Sequence, residues 1–126
     1  RTGRGDLGRG LAGAGGGEEA ERVAREARGR ATRTVGESHR TVGSIRSKLG
    51  YLFAARGQYE AAERELLAAY RILTIATWHS ASERAFQLQR TARRLTALYD
   101  TRNQLEPNAG HDRKAARWRE RTETGA

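Results

Sequence analysis

Between residues 36 and 75 the apolar positions fall into two helical stripes. Ile45, Leu49, Leu52 and Phe53 stand at i, i+4, i+7 and i+8, which is the spacing of one face of an amphipathic helix. Gly57 interrupts the pattern, and Tyr59, Ala62, Leu66, Ala69, Tyr70 and Leu73 then set up a second stripe. Two amphipathic helices with a tight turn between them predict a helical hairpin. The small residues Gly50, Ala62 and Ala69 let the two backbones approach, while Phe53, Leu66 and Tyr70 fill the space between. A further stripe runs through Leu88, Ala92, Leu95, Leu98 and Tyr99. Pro107 and Gly110 then mark a loop, expected over residues 100–111, after which Ala115-Ala116-x-Trp118 begins a short last helix. The expected core is Leu49, Phe53, Ala62, Leu66, Ala69, Tyr70, Leu95, Leu98, Tyr99 and Trp118.

The chain also resembles itself at an offset of 42 residues. Leu7-Gly8 falls on Leu49-Gly50, Leu11 on Phe53, Ala12 on Ala54 and Gly15 on Gly57. Ala20-Glu21-Arg22 falls on Ala62-Glu63-Arg64, Ala27 on Ala69 and Thr32 on Thr74, with no gap. A fixed period of this length is a mark of stacked supersecondary units. In the third unit Leu95-Thr96-x-x-Tyr99 stands where Leu49-Gly50-x-x-Phe53 stood.

Leu49-Gly50-x-x-Phe53 followed by Ala62-x-x-x-Leu66-x-x-Ala69 resembles the tetratricopeptide repeat. The 42-residue period, with Gly36-Glu37-Ser38-His39-x-Thr41 between hairpins, resembles its kinesin-light-chain-like variety, although Arg40 stands where that linker carries proline. The stretch from Leu95 to Asp100, with Ala115-Ala116-Arg117-Trp118, is similar to the last repeat of the tetratricopeptide tails of bacterial serine/threonine kinases. The resemblance implies an all-α, tetratricopeptide-like α-solenoid of about three hairpins and six helices. It implies one domain over 1–126: a degenerate repeat at 1–35, a second at 36–77 and a third at 78–123. The first helix would be the glycine-dense stretch Gly3–Gly17, where glycine costs about 1 kcal/mol per helical site against alanine. That helix is therefore expected to be marginal or absent, with a sound one beginning at Glu18.

Composition narrows the chemistry. With no cysteine, disulfides, cysteine–zinc sites and thiol nucleophiles are excluded. No apolar run approaches the ~20 residues of a membrane span, so no membrane insertion is expected and a cytoplasmic location fits. The chain lacks methionine and is expected to be a piece of a larger protein. The glycine-rich start contains G-x-G-x-x-G twice, at Gly3/Gly5/Gly8 and Gly8/Gly10/Gly13. A dinucleotide fingerprint needs a strand before its first glycine, and only Arg1 and Thr2 precede Gly3. Arg4-Gly5-Asp6 is read as a chance tripeptide. His39, His79 and His111 all fall in expected linkers without helical metal-ligand spacing, and His39 is expected to cap the next helix. Glu60, Glu63 and Glu65 are explained by i,i+4 pairing on an outer face. No constellation points to an enzyme, and no cofactor or metal is expected.

Recognition by a surface remains. The net charge of +9, with 24 basic residues against 15 acidic ones, suits acidic partners. Compositional inflation of arginine explains the same excess. Stacked hairpins line a concave groove with their first helices. In the second unit Ser44, Ser47, Lys48 and Tyr51 are expected there; in the third, Arg90, Arg93, Arg94 and Ala97. Arg90 and Arg94 lie one turn apart and can grip the same carboxylate partner. In the carboxylate-clamp members of the family, basic residues at these two positions hold a peptide's C-terminus; the asparagines that complete the clamp are replaced here by Arg9 and Lys48. The partner-binding residues are thus Lys48, Tyr51, Arg90, Arg93 and Arg94, and the partner is an acidic peptide or protein surface. Nucleic-acid binding through the same arginines stays open, as does a purely structural role as spacer repeats behind a kinase domain. Leu66→Ala is expected to lower stability by about 2–5 kcal/mol if Leu66 is core, which a denaturant melt measures; an unchanged midpoint removes it from the core.

Overall fold

The computed structural model describes residues 16–124. Five helices occupy them: α1 Gly16–Val35, α2 Arg40–Ala55, α3 Tyr59–Ile75, α4 Ala81–Leu105 and α5 His111–Thr124. Among the described residues there is no strand, so the fold is all-α. Residues 3–15 of the expected degenerate first helix lie outside the described residues, while Gly16 and Gly17 belong to α1, which begins two residues before the expected Glu18. Each helix packs on the next along the chain, and α2 also touches α4. None of the described helices is long and apolar enough to cross a membrane.

Local chemistry sets the element ends. His39 is the N-cap of α2, its Nδ1 accepting from the Thr41 N–H at 3.0 Å, so the linker histidine does pin the next helix. Arg40, the first residue of α2, donates to the Thr77 carbonyl at 3.3 Å. Ser80 Oγ accepts from the Glu83 N–H at 3.1 Å and opens α4. Between α2 and α3 the Gly57 N–H donates to Ala54 and the Gln58 N–H to Phe53. That bond pair closes a helix on a left-handed residue, and Gly57 has φ +78°.

One apolar cluster threads all five helices: Ala24, Leu49 with Phe53, Ala62 with Leu66, Ala92 with Leu95, Leu98 and Tyr99, and Ala115 with Trp118. Every expected core residue is buried except Tyr70, which is half-buried and sets its ring edge-on to Trp118 with centroids 4.8 Å apart. The tightest joint is α2 on α3. A Cβ placed on Gly50 would lie 2.6 Å from Leu66 Cγ and 3.1 Å from the Ala62 carbonyl oxygen.

Ion pairs recur from joint to joint. Arg56 near the end of α2 donates to Glu21 of α1 at 2.7 Å, and Arg102 near the end of α4 donates to Glu63 of α3 at 3.2 Å. Glu21 and Glu63 are one 42-residue period apart. Arg56 and Arg102 are related by the same shift that carries Leu49 to Leu95. The α1–α2 and α3–α4 joints are therefore fastened by the same bond. Glu65 adds a clasp across three helices, accepting from Arg28 of α1 at 3.1 Å and Arg46 of α2 at 2.8 Å.

Three expectations are corrected here. Glu63 and Glu65 are not solvated i,i+4 partners, because residues four positions on are Leu67 and Ala69; they bond between helices instead, and only Glu60 is exposed. The loop expected over 100–111 is confined to 106–110, since α4 continues to Leu105 and its last turn is held by Arg102 on Glu63. His111 is no linker residue: it is buried at the start of α5, with its ring stacked 6.4 Å from Tyr99.

Two measurements follow from this packing. Gly50→Ala has no room without moving Leu66 or the α3 backbone and is expected to destabilise by about 1–3 kcal/mol. Gly29→Ala, whose nearest new neighbour is the Arg33 guanidinium at 3.4 Å, is expected to stabilise by about 0.5–1 kcal/mol; urea melts of the two variants check the contrast in sign. Tyr99 supplies a pH signature. Its hydroxyl donates to Glu63 at 2.6 Å, and burial first, then that bond, raise its pKa above the ordinary tyrosine value. The folded chain then keeps a proton that the unfolded chain loses above about pH 10. Stability is expected to fall as pH rises through that region, and Tyr99→Phe to flatten the fall in alkaline melts.

Candidate functional site

The face that α2 and α4 present together is built by their touching along Ser47 and Thr91. Both residues are wholly buried, and their hydroxyls share a hydrogen bond of 2.8 Å. One turn beyond Thr91 in α4, Arg94 donates to the same Ser47 Oγ at 3.0 Å. Its guanidinium also lies 5.0 Å from the centre of the Tyr51 ring. Arg94 is thus fixed by a neutral hydroxyl and an aromatic face.

Arg90 lies one turn before Arg94, and its own neighbours are equally uncharged. It donates to Gln87 Oε1 at 3.1 Å and stacks 5.0 Å from the Phe86 ring centre. Its Nε is shielded from solvent and has no hydrogen-bond partner. Burial lowers the pKa of Arg94 from the usual arginine value, and the like charge of Arg90 acts in the same direction. An arginine keeps its proton nonetheless, so the two side chains hold two positive charges close together. Among the described residues no carboxylate bridges to Lys48, Arg90, Arg93 or Arg94. This contrasts with Arg28, Arg46, Arg56 and Arg102, which are each spent on a helix joint.

Two hollows meet at the arginine pair. One, of about 590 Å³, lies over α1, α2 and α4; Ala20, Val23, Ala24 and Ala27 form one wall and Ser44, Ile45 and Lys48 the other, with Arg90 and Arg94 at its edge. The second, of about 360 Å³, runs along α2 and α4 between Tyr51, Ala54 and Ala97, and again includes Arg90 and Arg94, with Arg93. Of the residues expected to form the groove, Lys48 therefore belongs to the first hollow and Tyr51 with Arg93 to the second. Arg90 and Arg94 belong to both. Arg93 also faces a separate hollow toward α5, with Asp100 and Arg119.

Ser47 is the groove residue that the structure moves. Ser44, Lys48 and Tyr51 are spaced i, i+4, i+7 and share a face. Ser47 sits on the edge of that face and is turned inward against Thr91. Gly43, Ser47 and Gly50 repeat the same spacing on the buried side of α2, and small residues so placed were the available signal. Phe86, Gln87 and Thr91, which hold or flank the arginine pair, were not singled out from the sequence. Neither was the α1 wall.

A larger hollow of about 610 Å³ opens beside the α2–α3 turn and the end of α4. Its cations and carboxylates are mixed: Arg64 and Arg102 stand with Glu60 and Glu106. That mixture selects no charge of ligand. Among the described residues no group of three or more histidines and carboxylates is arranged to hold a metal ion. Comparison with family models, with curated proteins and with solved structures gives no match.

Proposed function

We propose that the chain is a protein-interaction module of tetratricopeptide type, in which stacked hairpins form a solenoid and present a basic groove to an acidic peptide or protein surface. The reading rests on one observation: Arg90 and Arg94 stand one turn apart without a carboxylate between them, held by neutral groups and half-withdrawn from water. Desolvated like charges raise the energy of the empty groove, and an incoming carboxylate relieves it. Bidentate, charge-assisted bonds to a guanidinium are among the stronger polar contacts available. Lys48 adds a third positive charge at the rim. No step of chemistry is invoked; the role is binding and, in a larger chain, scaffolding.

Phosphates compete with carboxylates for the same charges. Single-strand binding also relies on aromatic faces for base stacking, and Tyr51 already lies under Arg94. Arg90→Glu combined with Arg94→Glu is expected to weaken binding of a fluorescein-labelled oligo-glutamate peptide by at least about tenfold, with the melting temperature checked in parallel. Unchanged affinity in a folded variant assigns the peptide elsewhere. Measured on generic DNA, a steep linear loss of affinity with log salt, stronger than the peptide's, favours phosphate binding instead.

A further inference from the structure

We propose that the natural ligand is an extended peptide carrying one or two acidic residues with an apolar side chain on each side, the acid seated on Arg90 and Arg94 and the flanking groups in the two hollows. This rests on the acidic-peptide reading above and gives it a sequence pattern. The arginine pair borders both hollows, so it forms a ridge between them rather than the floor of one. A carboxylate held on that ridge has an apolar wall to either hand: Val23, Ala24 and Ala27 with Ile45 on the α1 side, Ala54 with Ala97 on the α4 side.

Charge complementarity names the occupant. Among the described residues, Lys48, Arg90, Arg93 and Arg94 are the only ionisable side chains with full charge lining either hollow, and no aspartate or glutamate lines them. An apolar helix alone leaves those cations desolvated and unpaired, which costs more than it gains. A uniformly acidic strand leaves the alanine-rich walls unused. Both hollows fall within the range of about 300–1,000 Å³ common to ligand sites. Val23, on the wall of the α1-side hollow, is half exposed. Nucleic acid satisfies the ridge through phosphate but carries no aliphatic group for the walls.

The test uses the full chain and four fluorescein-labelled peptides built on Asp-Glu in a serine–glycine background. One has leucine two positions before and two after the acidic pair, two have leucine on one side only, and one has none. Fluorescence anisotropy is expected to rank the doubly flanked peptide about tenfold tighter than the unflanked one, a gain of about 1.4 kcal/mol, with the singly flanked pair between. Ala97→Trp, which fills the α4-side hollow, is expected to bring the doubly flanked peptide down to singly flanked affinity, with a thermal melt to check folding. Equal affinity for all four peptides overturns the two-hollow pattern and leaves the acidic groove standing. Binding of none overturns both. If the leucine on the α1 side gains affinity only once Leu7→Asp and Leu11→Asp are introduced, residues 1–15 of this chain are the occupant of that hollow. If peptide affinity falls as the protein self-associates, a second copy is the occupant; either result overturns the proposal.

Discussion

The approach of α2 to α3 at Gly50 is the constraint on which the remaining packing turns. With Leu66 pressed against a residue that has no side chain, the two helices meet backbone to side chain, and Phe53, Ala62 and Leu66 close into one layer. That closeness decides which face of α2 is left over. Gly43, Ser47 and Gly50 turn inward, and Ser44, Lys48 and Tyr51 are delivered to the opposite side. That outer face is in this sense a by-product of a tight hairpin. A bulkier residue at position 50 rotates or displaces α2 and carries Tyr51 and Lys48 with it.

Polar contacts then divide into two kinds. Glu21, Glu63 and Glu65 each neutralise arginines across a helix joint, partly buried and held in defined geometry. Exposed pairs such as Arg22 with Glu26 contribute little, because surface ion pairs are generally worth at most about 1 kcal/mol. Arg90 and Arg94 belong to neither kind. They too are held by side-chain contacts, yet from Gln87, Ser47 and two rings. Order without charge compensation sets these two apart from the fastening arginines in a chain so full of arginine.

Much of this was legible in the residues because one unit repeats. The Leu49-Gly50-x-x-Phe53 and Ala62-x-x-x-Leu66 spacings located the hairpin, its turn at Gly57 and nearly all of its core, since helical period and glycine punctuation are local properties. What was not legible depends on contacts between helices. Residues 100–104 are polar and Pro107 follows shortly, so the stretch looks like a loop; the bond from Arg102 to Glu63 and the burial of Tyr99 keep it helical. Glu63 and Glu65 face partners that are nowhere near them in sequence. Lys48, Tyr51, Arg90 and Arg94 could be assigned to one side of the stack by counting turns, but the division into two hollows needs the position of α1. Ser47 stands at the edge of the Ser44–Lys48–Tyr51 face, where spacing alone does not tell inward from outward.

The stacked cations carry a last consequence. Arg25 covers Phe53, Arg121 covers Tyr70 and Trp118, and Lys114 lies over Tyr99. Only 37% of the chain is hydrophobic, and its layers are thin. The flat guanidinium groups and their methylene stems therefore act as roofing for rings that bulkier aliphatic residues would otherwise shelter. Arginine is a weakly hydrated cation that stacks readily, whereas lysine is a compact and strongly hydrated one. Exchanging the two would conserve the electrostatics of this protein while stripping the tiles from its roof, so part of its cationic surplus serves as building material.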